Sequence, residues 1–192
     1  MNPVPQIEHL ADHPQRLIRL VWIIPTLDRG GAEKQLVTLA ESIDRQVFDP
    51  TLITLTRSGH YETRIENAKI PLINITKRAK FDPLALRKLR STLRSIQPDI
   101  VHTWIFAANA YGRFAALKEK VPVILGGERC VDPWKRGWQF WIDRYLARRT
   151  HGILTNSSGI RDFYASKGVA PNKFTVIHNG ITPLPQTSPD RQ

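Results

Sequence analysis

Two hydrophobic periods alternate along this chain, and that alternation restricts the folds open to it more than any other feature. Leu17–Ile24 is a partly β-branched apolar run, interrupted only by Arg19 and ending at Pro25, the pattern of a strand buried on both faces. After Gly30-Gly31 the spacing changes. Leu36, Leu39, Ala40 and Ile43 recur at three- and four-residue steps and predict a helix over Ala32–Asp44. The same exchange then repeats. Strands are expected at Phe48–Thr56, Pro71–Ile75, Ile100–Thr103, Val121–Leu125, Gly152–Thr155 and Phe174–Ile177. Helices are expected at Tyr61–Ala68, from Pro83 through Leu86, Leu89, Leu93 and Ile96, at Ala107–Leu117, around Trp138–Tyr145 and at Ser158–Ser166. About seven such alternations imply an α/β domain with a Rossmann-like, doubly wound, mostly parallel sheet.

With 192 residues the chain fits one sizeable domain better than two. Residues 1–15, which include Pro3, Pro5 and Pro14, read as a flexible N-terminal extension, and 16–182 as the domain itself. Residues 183–192 (PLPQTSPDRQ) hold three prolines and no apolar period, and read as the start of an interdomain linker or a disordered tail. A chain that ends on a linker is expected to continue into another domain.

Charge narrows the partners. Lys and Arg total 28 against 17 Asp and Glu, a formal charge of +11, which favours phosphorylated small molecules, an anionic membrane face or nucleic acid. No RNA-binding signature, zinc-finger spacing or heptad-bearing basic region is present, so nucleic acid is not an expected partner. The single cysteine, Cys130, allows no intrachain disulfide and no all-cysteine metal site, which fits a reducing compartment. Apolar runs are strand-sized and too short to span a bilayer. The expected location is cytoplasmic, with any membrane contact peripheral, on the inner membrane face.

In an open parallel sheet, ligands bind beyond the carboxyl ends of the strands, so the residues following each strand are the site candidates. After the first strand, Arg29, Gly30 and Gly31 precede a helix. Paired glycines let a backbone approach a ligand closely, and a helix start offers free N–H groups to phosphate; a plain tight turn is the alternative. The G-x-G-x-x-G fingerprint is absent, and the second strand ends in Thr56-Arg57-Ser58-Gly59 where a ribose-binding carboxylate would stand. Both points disfavour a dehydrogenase. His102 ends the fourth strand, where a near-neutral ring could donate to a sugar hydroxyl or a phosphate oxygen. Gly126-Gly127-Glu128-Arg129 follows the fifth strand and reads as a solvated turn or as a ligand contact. Asn156 and Ser157 follow the sixth, as helix caps or ligand contacts.

These pieces occur in an order that resembles a known family. The first-strand loop ending in Gly30-Gly31-Ala32-Glu33, "DIVHT" at Asp99–Thr103, "TNSSGIRDFYASKG" at Thr155–Gly168 and "FTVIHNGI" at Phe174–Ile181 are similar to the N-terminal domain of retaining GT-B glycosyltransferases of family 4. The resemblance covers roughly Arg16 to Ile181. It implies transfer of a sugar from a nucleotide-sugar donor, with retained anomeric configuration and without an obligatory metal or other cofactor. The acceptor, a glycan, lipid-linked or small molecule, would bind mainly this half, and the donor nucleotide mainly a C-terminal half. It further implies that Gly30 and Gly31, with Arg29, help hold phosphate and that His102 lies near the transferred sugar. Glu128, Arg129, Asn156 and Ser157 would line the acceptor side. Two departures stand out: Trp104 where the family often has a second histidine, and Thr182 where an aspartate is common. Glu33 and Glu41 have the separation of the family's paired glutamates, but on the first helix, the wrong context. Two other readings stay open, a stand-alone phosphate- or nucleotide-binding module and a non-catalytic basic domain that docks on membranes.

Two basic segments bear on the membrane. In the Pro83 helix, Arg87, Lys88, Arg90 and Arg94 are set apart from the leucine stripe and could meet a membrane or an anionic acceptor, or simply water. Trp138, Trp141 and Tyr145 are interleaved with arginines, and this aromatic face is expected to pack on the sheet while the arginines face water.

Overall fold

In a computed structural model that describes residues 16–180, the two periods become two kinds of layer. The strands are β1 (Ile18–Ile24), β2 (Phe48–Thr54), β3 (Leu72–Asn74), β4 (Ile100–Trp104), β5 (Val123–Glu128), β6 (Gly152–Thr155) and β7 (Phe174–Val176). The helices are α1 (Gly31–Ser42), α2 (Glu62–Asn67), α3 (Pro83–Ile96), α4 (Ile105–Lys118), α5 (Gly137–Ala147) and α6 (Ser158–Ser166). All seven strands run parallel in the order β3-β2-β1-β4-β5-β6-β7, the Rossmann-like arrangement the alternation predicts. The expected extension at 1–15 and linker at 183–192 lie outside the described residues.

Strand periodicity sorts the core into two faces. Val21 and Ile23 of β1 join Ile53, Val101 and the leucines and alanines of α3 and α4 on one side. Leu20, Trp22 and Ile24 join Leu36, Val37 and Ala40 of α1 and Ile65 of α2 on the other. A third cluster, with Phe140, Ile160 and Tyr164, packs α5 and α6 near β6. Helix α3 starts as its sequence dictates. Pro83 sits in the first turn, and the Asp82 carboxylate accepts the Ala85 N–H at 2.9 Å. Among the described residues no helix is long and apolar enough to cross a membrane.

The chain winds from β1 outward to β3, then returns to place β4 on the other side of β1. That reversal leaves a crevice between the carboxyl ends of β1 and β4. Trp22 and His102 are register partners on these two adjacent strands.

The glycine pair of the fifth strand corrects one expectation. Gly126, Gly127 and Glu128 are not a turn; they form the last half of β5, the two glycines paired with both β4 and β6 and Glu128 with β6. Small residues suit this stretch because α4 side chains lie against Gly126 and the β4 backbone lies against Gly127. A Cβ on Gly126 would sit 3.4 Å from the Arg113 Nη1, and one on Gly127 would sit 2.8 Å from the Thr103 carbonyl oxygen.

Candidate functional site

Four strand ends bring their last residues together. His102 and Trp104 end β4, Arg129 follows β5, Asn156 follows β6, and His178 and Asn179 follow β7. Arg129 is the wall between two adjoining hollows. One, of about 460 Å³, is lined by His102, Trp104, Gln35 of α1 and His178. The other, of about 390 Å³, is lined by Gly31, Ala32, Glu33, Ile105, Cys130, Asn156 and Asn179.

Arg129 is held from two sides. Its guanidinium lies 4.5 Å from the centre of the Trp104 ring and donates to the Asn179 Oδ1 at 2.9 Å. Among the described residues it has no carboxylate partner, so its charge is available to an anion. His102 is 6% exposed, and its ring lies 5.0 Å from that of Trp104. Burial first, and then the Arg129 charge, lower its pKa to about 3. It is a neutral ring in the physiological range, able to hydrogen-bond a hydroxyl but carrying no imidazolium proton. His178 donates from Nδ1 to the Asn156 carbonyl at 3.2 Å, because a carbonyl can only accept.

Three buried polar atoms of this region have no hydrogen-bond partner: the His102 Nε2, the Trp104 Nε1 and the Asn156 Oδ1. Such atoms are costly to bury and rarely left unpaired, so their concentration around one arginine marks a place built for a polar ligand. Backbone strain marks the same place. Ile105, the first residue of α4, has φ 58°, a left-handed conformation that a β-branched residue seldom adopts.

The glycine loop is arranged for an anion, with one complication. Helix α1 has no side-chain cap, and the N–H groups of Gly31, Ala32 and Glu33 find no acceptor among the described residues. Space above Gly31 is open to at least 4 Å. At Gly30 the room is taken by the Glu33 carboxylate, which a Cβ there would overlap. Glu33 therefore stands where an incoming phosphate would compete with it. Arg29 is exposed and lines neither hollow.

Three expected placements are corrected. Glu128 is not on the acceptor side but 3% exposed, in a buried network with Asn109, Lys135, Asp143, Asp132, Arg113 and Tyr164. Asn109 Nδ2 donates to it at 2.9 Å, and Lys135 Nζ lies 2.9 Å from Asp143 and 3.0 Å from Asp132. Ser157 caps α6, its hydroxyl accepting the Ile160 N–H at 3.3 Å, and it lines neither hollow. On α3, Arg90 and Arg94 both bind Glu119, at 2.7 and 3.0 Å, and Lys88 donates to the carbonyls of Asn74 and Ile75. Only Arg87 of the four cations there has no such partner among the described residues.

Sequence reading missed Trp104, Gln35, His178 and Asn179. The histidine and asparagine lay inside a motif valued for its resemblance, not its chemistry. Gln35 had no signal at all. It clamps the segment after β7 onto α1 through two bonds to the Gly180 backbone, at 3.0 and 3.1 Å, across 145 residues of sequence.

A family model, Glycosyltransferase Family 4, matches residues 29–183. No curated protein matches the chain. Among solved structures, Anabaena Alr3699/HepE in complex with UDP is 18% identical, with a TM-score of 0.72 over 85% of this chain and 44% of that one. The same protein has also been solved with UDP-glucose, with a TM-score of 0.70. The lipopolysaccharide outer core galactosyltransferase WaaB, apo form, is 15% identical, with a TM-score of 0.60 over 91% of this chain and 50% of that one. A UDP-GlcNAc 2-epimerase from Methanocaldococcus jannaschii is 16% identical, with a TM-score of 0.57 over 84% and 46%. The chain thus spans about half the length of the structures it matches. At such identities the likeness establishes the fold, and HepE, the galactosyltransferase and the epimerase share it.

Proposed function

The chain belongs to Glycosyltransferase Family 4, and from that premise we propose that it is the N-terminal, acceptor-side half of a retaining glycosyltransferase that uses a nucleotide-sugar donor. The observation that carries this reading is the convergence of His102, Trp104, Arg129 and the uncapped start of α1 around one crevice at the carboxyl edge of the sheet. Each part has a role in sugar transfer. As the acceptor oxygen bonds to the anomeric carbon and the bond from that carbon to the diphosphate oxygen breaks, negative charge grows on the diphosphate, which takes up the acceptor hydroxyl's proton. The α1 N–H groups and Arg129 are donors for that charge, once the Glu33 carboxylate gives way over Gly30. The neutral His102 Nε2 hydrogen-bonds a hydroxyl of the sugar being moved, and Trp104 supplies a flat apolar wall. The acceptor, a glycan, a lipid-linked sugar or a small molecule, lies in the hollow beside His102. UDP and UDP-glucose in the HepE complexes support a uridine nucleotide as the donor type.

The test uses the natural protein that carries this chain, radiolabelled UDP-sugars and a panel of acceptors. Transfer of label to an acceptor is expected, and Arg129→Ala should lower kcat/KM by about 10²-fold, the size of losing one preorganised donor. The epimerase likeness gives the contrary outcome a form. Conversion of the sugar nucleotide to its epimer with no acceptor present would replace transferase by epimerase.

A further inference from the structure

Helix α5 has two apolar faces, and the larger rings are on the outer one. Phe140, Leu146 and Ala147 are buried, whereas Trp138, Trp141 and Tyr145 are 60%, 59% and 37% exposed. Trp141 stacks on Tyr145 with centroids 5.6 Å apart, and Arg149 sits 3.8 Å over the Tyr145 ring. Trp134, just before the helix, is equally open and meets Phe106 edge-on. Beyond α4, Phe81 and Leu84 stand almost fully in solvent. Two adjoining grooves, of about 680 and 470 Å³, run between these groups and share Phe81, Tyr111 and Ile142. So broad an aromatic patch on one side of a chain marks a contact surface.

Charge identifies the partner. The segments that build this face, 77–84, 105–114 and 134–149, contain two carboxylates. Asp143 is buried, and Asp82 is occupied by the N–H groups of Arg78 and Ala85. Lys77, Arg78, Lys80, Arg136 and Arg149 surround the rings, and none is paired with a described carboxylate. Tryptophan and tyrosine gather at the level of lipid headgroups, and unpaired cations beside them meet lipid phosphates. We infer that this aromatic face docks the chain on an anionic lipid bilayer, through Trp134, Trp138, Trp141 and Phe81 with Lys80 and Arg136 at the rim. It replaces the basic side of α3, whose charges are largely spent on Glu119 and on backbone carbonyls. Ile105 lines the crevice and its neighbour Phe106 lines the groove, so docking holds the mouth of the crevice beside the headgroups.

Co-sedimentation of the purified chain with vesicles tests it. Binding should be weak on phosphatidylcholine alone, rise with phosphatidylglycerol content and fall with salt. A blue shift of tryptophan emission should accompany it. Trp138→Ser with Trp141→Ser should abolish the shift and most of the binding. Each of Lys80→Glu and Arg136→Glu, at surface positions, should cost roughly fivefold or more in affinity, the equivalent of about 1 kcal/mol per cation removed. Circular dichroism identical to the parent's shows that the variants fold. Binding indifferent to phosphatidylglycerol, unchanged in both variant sets, or absent would overturn the inference. So would a dimer in sedimentation velocity that dissociates in the tryptophan variant, since the face would then belong to a second copy, or selective capture of acidic protein without vesicle binding.

Discussion

At neutral pH the His102 ring carries no charge, since burial and then Arg129 lower its pKa from 6.5 to about 3. The consequence for stability has a definite sign. Between pH 6.5 and 3 the unfolded chain binds a proton at this residue that the folded chain refuses, so stability falls as pH falls through that window. The contribution is complete above 6.5, and its slope approaches 1.4 kcal/mol per pH unit, about one proton's worth. Urea unfolding at a series of pH values should show His102→Gln with a shallower acid limb than the parent. Parallel limbs would mean that the ring is protonated in the fold. Position made this residue legible in the sequence: a histidine at the end of a strand already faces the ligand side. Its unpaired Nε2 was not legible, because pairing depends on β5 and on Arg129, which come later in the chain.

Elements were easier to place than their faces. Every predicted helix and strand within 16–180 has its counterpart, usually within two or three residues. Yet α5 presents the opposite face from the one expected. Period alone assigns residues to two sides; when both sides are apolar it does not say which is buried. The buried side of α5 is chosen by Asp143 and Phe140, which join contacts made by α4 and α6. The end of β5 misled for a similar reason. Paired glycines usually mark a turn, but here Gly127 admits the β4 backbone and Gly126 lies against α4, contacts that are invisible until those elements lie beside the strand. The buried network this creates has three carboxylates, Glu128, Asp132 and Asp143, against Lys135 and Arg113. Burial pushes the Glu128 carboxyl well above its ordinary 4.5, against the pull of Lys135. Above pH 4.5 the folded chain therefore retains a proton that the unfolded chain has lost, and stability falls as pH rises through this range. Glu128→Gln keeps an acceptor for Asn109 and balances the charges. The variant should gain on the parent as pH rises from 5 to 8, by about 1–3 kcal/mol, and the gap should close in acid. A variant that loses stability equally at both pH values would show that Glu128 is a committed ion-pair partner of Lys135.

At the scale of the whole molecule, the order β3-β2-β1-β4-β5-β6-β7 places one crevice at the reversal beside β1, and the residues with chemistry collect there. The alternation of strands and helices made this architecture readable, because a parallel sheet with short crossovers has few ways to wind. Net charge was readable too, but not its use. The formal +11 counts cations in excess of carboxylates; among those with no carboxylate partner in the described residues, Arg129 stands at the crevice and Lys77, Arg78, Lys80, Arg136 and Arg149 around the aromatic face. The central claim is that the crevice cradles the phosphates of a sugar nucleotide between α1 and Arg129. Amide and guanidinium NMR of the chain during titration with pyrophosphate, then with UDP-glucose, tests it without requiring turnover. The prediction is a saturable shift at millimolar ligand, confined to the amides of Gly31, Ala32 and Glu33 and to the Arg129 side chain, strengthened by Glu33→Gln and lost in Arg129→Ala. Shifts that spare these residues, or that follow ionic strength alone, would contradict the account.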